Sequence, residues 1–378
     1  MKSIRIAWGM LGGGEDSLIG VVHRLAASMG EEYRLVGGVF SASQVAGLRF
    51  AERLDLDPSR AYPSIEALIA GEAQRPVRER MSLVTVATPN YLHFPMAMQL
   101  LRGGFNVVCE KPMSTTAAEA GELAAFVRSS GLIFAVAHTY TGYPMVRQMR
   151  SMISQGRIGA VQRVCVHYYQ GWINPFIHDR AKWGSVWRLD PKRGGQSCCI
   201  GDIGVHAFNL VEYATGLKIS ETLADLNTLY PENTLDVDGS ALLRLSNGAR
   251  GILDASQIAT AEENNLQIAV YGRTGALKWA QENPNRLEYL RENKPVSIFT
   301  PGHAFNDPAA RKASKLPPGH PEGLIDAMGN IYRGVARAIS GETPEAEEFP
   351  TVEDGLRGMR FIEAVLQSAR GGNVWVTV

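Results

Sequence analysis

Two short runs hold the residues best able to do chemistry. The first is Glu110-Lys111-Pro112, which follows the strand-like segment 105–109. A lysine there stands at the carboxyl end of a strand, the edge of an open α/β sheet where ligands bind. The second is Gly201-Asp202-Ile203-Gly204-Val205-His206. Asp202 and His206 are four residues apart, so at the start of a helix they share one face, one turn apart. A carboxylate beside an imidazole fixes its tautomer and raises its basicity, which makes His206 a candidate general acid or base. The same spacing also fits a helix-start carboxylate followed by an ordinary core histidine.

A third run, Trp8-Gly9-Met10-Leu11-Gly12-Gly13-Gly14, joins a strand signal to a helix signal. Glycines let a backbone turn tightly against a pyrophosphate, whose charge the following helix N-terminus complements. Against the G-x-G-x-x-G spacing, Gly12 and Gly14 take the first two positions and Ser17 the third, with Leu18 and Ile19 opening the helix. Glu15-Asp16 put negative charge beside a pyrophosphate and are expected to point away. A plain glycine turn is the alternative. At the end of the second strand, Val39-Phe40-Ser41-Ala42-Ser43 has neither a carboxylate for the NAD ribose nor an arginine for a 2′-phosphate. Ser41 and Ser43 can bond either cofactor, so these residues leave NAD and NADP open. Thr88-Pro89-Asn90, with His93, ends a further strand and is placed to line a nicotinamide ribose; a proline turn with Asn90 as helix cap is the alternative.

The elements that must position these residues come in two patterns. Up to residue 140, strand signals at 3–8, 34–40, 82–87, 106–109 and 132–137 alternate with helix signals at 18–29, 42–54, 65–70, 92–102 and 116–129. Ser114 or Thr115 is the expected cap of the last helix. This alternation predicts a parallel sheet covered on both faces. Beyond residue 155, strands are expected at 160–169, 222–230, 240–245, 250–257, 265–271 and 276–280. Ser246-Asn247-Gly248 and Gly272-Arg273-Thr274-Gly275 read as hairpin turns, which predicts an antiparallel second domain. Helices are expected at 203–215, 325–339 and 352–369, and a loop at 301–321.

Composition narrows the function classes. A chain of 378 residues is long for one core, so two domains are expected. Lys+Arg and Asp+Glu are both 38, which argues against a nucleic-acid partner and gives no pull toward an anionic membrane. No apolar run is long enough to span a bilayer, and the N-terminus does not read as a signal peptide, so cytoplasmic residence is the expectation. The cysteines, Cys109, Cys165, Cys198 and Cys199, lack disulfide-scaffold or zinc spacing and are expected to be reduced thiols. The scattered histidines show no metal motif, so no metal is expected.

In this order, the glycine-rich start, Thr88-Pro89-Asn90 with His93, Glu110-Lys111-Pro112 and Gly201–His206 resemble the glucose–fructose oxidoreductase and inositol dehydrogenase family over nearly the whole chain. The resemblance implies an α/β plus α+β architecture. A Rossmann doubly wound parallel sheet at 1–140 would bind the dinucleotide. An open, mostly antiparallel sheet at 141–378 would bind substrate and oligomerise. It implies a catalytic set of Lys111, Asp202 and His206, with a cis peptide before Pro112 aiming the lysine. Trp187-Arg188-Leu189-Asp190-Pro191 and His320-Pro321-Glu322-Gly323 look like the branch that resembles levoglucosan dehydrogenase and oxidises pyranosides at C3. That branch inclines the cofactor to NAD. The departures are Ser17 for the third glycine, Glu15-Asp16, and Asn209 where many relatives have an acid.

The implied reaction is hydride transfer between a secondary alcohol of a sugar, glycoside or cyclitol and nicotinamide. His206 would take the hydroxyl proton, Lys111 would bond the oxygen and Asp202 would orient His206. An NAD-dependent glycosidase working through a transient keto intermediate is the alternative. Arg188 is a candidate substrate clamp, or a surface partner of Asp190. His138, Tyr140 and Tyr143 follow the last parallel strand and are expected near the substrate; Tyr168 and Trp172 would stack on a sugar face or pack the core. His320 and Glu322 are expected to close over substrate. An uncovered face of the open sheet predicts a homodimer or homotetramer.

Overall fold

The computed structural model describes residues 5–342 and 348–378. The chain divides into two compact units, Met1–Ala137 with Met328–Leu356, and His138–Ala327 with Arg357–Val378. The first unit therefore takes in a late segment that a single cut at residue 140 leaves out.

In the first unit, β1 (Ile6–Gly12), β2 (Tyr33–Val39), β3 (Leu83–Ala87), β4 (Asn106–Cys109) and β5 (Phe134–Val136) pair in parallel in the order β2-β1-β3-β4-β5. Every side chain of β3 is buried, the continuous apolar run of a strand covered on both faces. Helices α1 (Leu18–Ser28), α2 (Gln44–Arg53), α3 (Ile65–Ala73), α4 (His93–Arg102) and α5 (Ala117–Ser130) connect the strands. The strand order reverses beside β1, so the carboxyl ends of β1 and β3 flank the switch point where such sheets bind ligands. β1 runs to Gly12 rather than stopping at Trp8, because it pairs on both sides beyond Trp8, with Leu11 opposite Val39 and Gly12 opposite Ala87. Residues 3 and 4 of the expected strand lie outside the described residues. The cap of α5 is Thr116, one or two positions later than expected, in a capping box with Glu119. From the late segment, the Tyr332 carbonyl accepts from the Tyr33 hydroxyl at 2.7 Å, and Pro350 O accepts from Val136 N at 2.8 Å.

Glu72 is the buried electrostatic anchor of this unit. Arg60 holds it bidentately at 3.0 and 2.6 Å, and Tyr62 Oη and Met81 N donate to it at 2.7 and 2.8 Å. Glu72→Ala strands the buried guanidinium and should cost about 3–5 kcal/mol, read by urea denaturation.

The second unit carries a nine-stranded sheet in the order β13-β12-β11-β10-β6-β9-β8-β7-β14. Its strands are β6 (Val161–Tyr169), β7 (Ile219–Asn227), β8 (Asp238–Leu245), β9 (Arg250–Ser256), β10 (Asn265–Gly272), β11 (Ala276–Ala280), β12 (Leu287–Leu290), β13 (Ser297–Phe299) and β14 (Val376–Thr377). All neighbours are antiparallel except β6 and β9. Both expected hairpin turns are present, with Leu245 N bonded to Ala249 O at 3.0 Å and Gly272 N to Gly275 O at 2.8 Å. β7 sits three residues earlier than expected, because Leu229 takes a left-handed φ of 65° that ends the extended run. β12, β13 and β14 were not expected; they are short, half-exposed strands at or next to the sheet edges, with little pattern to read.

The helices of this unit are α6 (Pro144–Ser154), α7 (Asn174–Ile177), α8 (Pro191–Gly194), α9 (Val205–Thr215) and α10 (Pro308–Ala313); α11 (Leu324–Ile339) and α12 (Val352–Arg370) complete the chain. α10 interrupts the stretch 301–321 that reads as loop, begun by Pro308 at its first turn. α6 was missed because burial on most sides blurs its stripe: Arg147 and Gln148 are buried along with Met145, Val146 and Met149. Gln148 is satisfied by Asp307, donating to Oδ2 at 2.6 Å and accepting from Asp307 N at 2.8 Å. α9 is buried along nearly its whole length, and its Phe208 stacks on Phe361 of α12 at 4.5 Å. A π-helical turn, Ile200–Gly204, precedes α9, so the regular helix begins at Val205 instead of Ile203.

Candidate functional site

In the first unit the glycine loop packs closely against its neighbours ahead of α1. Gly12 has a φ of 74°, and a Cβ there would lie 2.4 Å from Ala87 O; one on Gly14 would lie 2.5 Å from Phe40 O. Ser17 is the α1 N-cap, its Oγ accepting from Gly20 N at 3.1 Å. The close helix–strand approach falls to Gly20, where a Cβ would meet Gly13 Cα at 2.4 Å. Leu18 is exposed and Ile19 half-buried at the helix start. Glu15 is drawn aside into an ion pair with Arg53. Arg24, which carried no sequence signal, donates to Gly13 O and lies over the Phe50 ring. Glycines that let the backbone pack this closely, followed by a helix N-terminus, are the parts of a pyrophosphate-binding turn. Ser41 Oγ accepts from Ser43 N at 3.1 Å, and Ser43 caps α2, accepting from Ala46 N at 3.4 Å. Both acceptor roles leave the hydroxyl protons to donate.

At the end of β3, the Thr88 hydroxyl is buried with no partner, an unmet polar group that a bound ribose would satisfy. Asn90 is buried, and α4 has no side-chain cap, so the capping alternative for Asn90 is not found. Pro89 takes the turn before it. His93 is fully buried, with Nδ1 2.7 Å from Pro112 O and Nε2 2.8 Å from Thr88 O. Burial holds its pKa down. Both ring nitrogens thus face carbonyls of its own unit, and His93 ties the end of β3 to the turn after β4.

Glu110 likewise turns inward. Its Oε1 is 3.0 Å from His23 Nε2, and Oε2 accepts from Lys111 N at 3.2 Å. His23 Nδ1 continues to the Tyr332 hydroxyl at 2.8 Å, which meets Thr85 Oγ1 at 2.8 Å. Burial pushes the Glu110 carboxyl up, but the His23 bond and charge and Lys111 outweigh it, leaving it below the usual range. Nothing in the sequence marked His23 or Tyr332 as its partners. The Lys111–Pro112 peptide is cis.

In the second unit the structure brings His138, Tyr140, Tyr168 and His206 together. His206 Nδ1 faces His138 Nδ1 at 3.5 Å with the rings at 82°, both histidines buried. The edge of Tyr140 packs on His206 at 4.9 Å between centroids. The Tyr140 and Tyr168 hydroxyls are 2.5 Å apart, and Tyr168 donates to Asn264 Oδ1 at 2.6 Å. Burial, then Tyr140, pushes the Tyr168 phenol well up, so it stays protonated. Tyr143 stacks on Tyr140, and burial raises its phenol too.

Asp202 lies in the π turn. Its Oδ2 accepts from Gln257 Nε2 at 2.9 Å and pairs with Arg188 Nε at 3.2 Å. Arg188 therefore pairs with Asp202 and not with Asp190, which caps α8 by accepting from Lys192 N at 2.9 Å. The Arg188 guanidinium sits 4.3 Å from the Trp187 ring and 5.9 Å from that of Trp172. Trp172 packs beside Ile173, Ile177 and Leu189, so it is partly core. His320 is exposed, with Nδ1 3.2 Å from Pro317 O. Glu322 is buried and accepts from Lys315 N and Leu316 N at 2.6 and 2.9 Å, closing its own loop. Asn209 is buried in α9. With Nδ1 turned to His138, His206 has Nε2 as its other site for a proton, the arrangement of an oriented acid–base imidazole. Among the described residues no group of three His, Cys, Asp or Glu side chains could hold a metal, all four cysteines are free, and no helix is long and apolar enough to cross a membrane.

Comparison with known proteins matches residues 6–138 to the oxidoreductase family with an NAD-binding Rossmann fold and residues 146–278 to the GFO/IDH/MocA C-terminal domain. The chain is 31% identical over 380 residues to the uncharacterized oxidoreductase YfiI of Bacillus subtilis, covering 98% of this chain and 96% of that one. It is 26% identical over 326 residues to levoglucosan dehydrogenase of Pseudarthrobacter phenanthrenivorans, covering 78% and 80%. Among solved structures, an inositol dehydrogenase homolog from Azotobacter vinelandii with NAD+ superposes with a TM-score of 0.92 at 30% identity, covering 100% of this chain and 98% of that one; the homolog has also been solved with NADH and myo-inositol. Both halves of the chain and their order agree, and the chain belongs to the GFO/IDH/MocA oxidoreductases, with an NAD-binding Rossmann domain.

Proposed function

We propose that this oxidoreductase transfers a hydride between NAD and a ring secondary alcohol of a sugar, glycoside or cyclitol, with C3 of a pyranoside as the favoured position. The observation that carries the reading is the buried His138–His206 pair beside Tyr140. It sets two imidazoles, side chains suited to acid–base work, against a tyrosine ring in one buried cluster. Relatives that act on levoglucosan or are solved with myo-inositol support the polyol class.

Bound NAD supplies the hydride acceptor, and the protein supplies position, charge and proton transfer. Gly12, Gly14, Ser17, Leu18 and Ile19 hold the pyrophosphate; Ser41 and Ser43 meet the adenosine ribose, and Thr88 the nicotinamide ribose. His206 takes the hydroxyl proton, Lys111 donates to the oxygen on which charge develops, and Asp202 supports the histidine and, with Arg188, binds ring hydroxyls. Arg188→Ala should raise KM for the sugar about 10- to 100-fold with little change in KM for NAD, read by initial rates.

The direct test follows NADH and NADPH absorbance against inositols, free hexoses, levoglucosan and aryl glycosides. Reduction of NAD with one sugar class is expected. Release of aglycone without net NADH would replace the dehydrogenase reading with the glycosidase one.

The same unit supports association. A hollow of about 360 Å³ opens on the sheet among Cys165, His167, Tyr271, Trp279 and Arg286, and Leu242 and Tyr271 are exposed. We assign this face to a homodimer or homotetramer; a monomer mass by light scattering at micromolar concentration would remove it.

A further inference from the structure

We propose that Gln257 is a positioning residue that holds the Asp202 carboxylate in one orientation, and that the Cys198 thiol is what keeps the Gln257 amide from turning over. The proposal rests on Asp202 belonging to the acid–base set.

Gln257 is fully buried at the end of β9. Its Nε2 donates to Asp202 Oδ2 at 2.9 Å, and its Oε1 accepts from Cys198 Sγ at 3.2 Å. A carboxylate only accepts, so the amide must present its NH2 group there. Turned over, the amide would set its oxygen against the carboxylate and its NH2 against a sulfur, which accepts poorly. Burial removes the water that would soften either clash. The main chain of Gln257 is held as well, its N donating to Val237 O at 2.9 Å.

The thiol is itself placed. Asp236, fully buried, accepts from Ser197 Oγ at 3.0 Å, Cys198 N at 3.1 Å and Ile200 N at 2.8 Å. Asp202 N in turn bonds Cys198 O at 2.9 Å. One carboxylate thus pins the segment that enters the π turn, and that segment carries the thiol that orients the amide. The adjacent cysteines divide: Cys198 has this contact, while Cys199 is buried with its thiol pKa pushed well up by burial. Arg188 pairs with Asp202, Tyr168 of β6 feels its charge, and Cys199 feels the charges of Asp236, Asp238 and Asp202.

The test uses the full chain with NAD and the best sugar of the screen, with Asp202→Asn as reference. Gln257→Leu should lower kcat about 10- to 100-fold with KM for NAD unchanged. Gln257→Glu should move the acid limb of kcat/KM to higher pH by about one unit or more, because two carboxylates then share a proton. Cys198→Ala should lose about 3- to 10-fold in kcat, and Cys198→Ser, which restores a donor, should recover most of it. Should the buried Gln257 variants fail to fold by circular dichroism, the Cys198 pair decides, and wild-type kcat in Cys198→Ala overturns the proposal. Wild-type kcat and pH profile in both Gln257 variants, with Asp202→Asn inactive, overturns it and leaves the functional reading standing. Near-normal turnover in Asp202→Asn removes Asp202 from the chemistry and the proposal with it.

Discussion

Lys111→Ala should lower kcat about 10²- to 10³-fold while NAD binds with a near-native Kd. The loss is that of one charged donor aimed at an oxygen that gains charge only as the hydride leaves, so it falls on kcat more than on KM. The local frame should survive the change. Glu110 is held by His23, and Pro112 O by His93, both through contacts that do not use the lysine side chain. Turnover by stopped-flow and NAD binding by calorimetry separate the two effects. Near-normal turnover would take Lys111 out of the mechanism; lost NAD binding would make it a cofactor ligand instead.

His206→Ala should cost about 10²- to 10⁴-fold in kcat for alcohol oxidation. The direction of the pH effect follows from the role. Oxidation needs the imidazole unprotonated, so wild-type kcat/KM falls on the acid side as His206 takes its proton from solvent. Reduction of the keto product needs the imidazolium, so its rate falls as pH rises. The variant should lose both limbs. His138 and the rings of Tyr140 and Tyr168 surround the imidazole, and the high pKa of the Tyr168 phenol keeps that group from titrating in the same range. An acid limb that persists unchanged in His206→Ala would assign it to another group.

Much of the architecture was legible because it rests on local patterns. The buried run of β3, the alternation of strands and helices before residue 140 and the two hairpin turns all come from near-neighbour sterics and hydrophobic period. What escaped was set by burial on several sides or by edge pairing. α6 hides its stripe because Arg147 and Gln148 are buried with the apolar residues. β12 to β14 exist because a neighbouring strand offers free backbone groups.

For the site, residue types were legible and partners were not. A lysine at a strand end, glycines before a helix and an Asp-x-x-x-His run can be recognised in one dimension, because each needs only local spacing. That Glu110 turns to His23, that Arg188 pairs with Asp202 and not with its neighbour Asp190, and that His206 faces His138 are contacts between residues far apart in the chain. By itself the sequence determined the main elements and which functional groups stand at their ends, since backbone geometry and hydrophobic period act over a few residues. Tertiary structure alone decided which buried polar groups answer one another, since a hydrogen bond across the core depends on packing that no local pattern encodes.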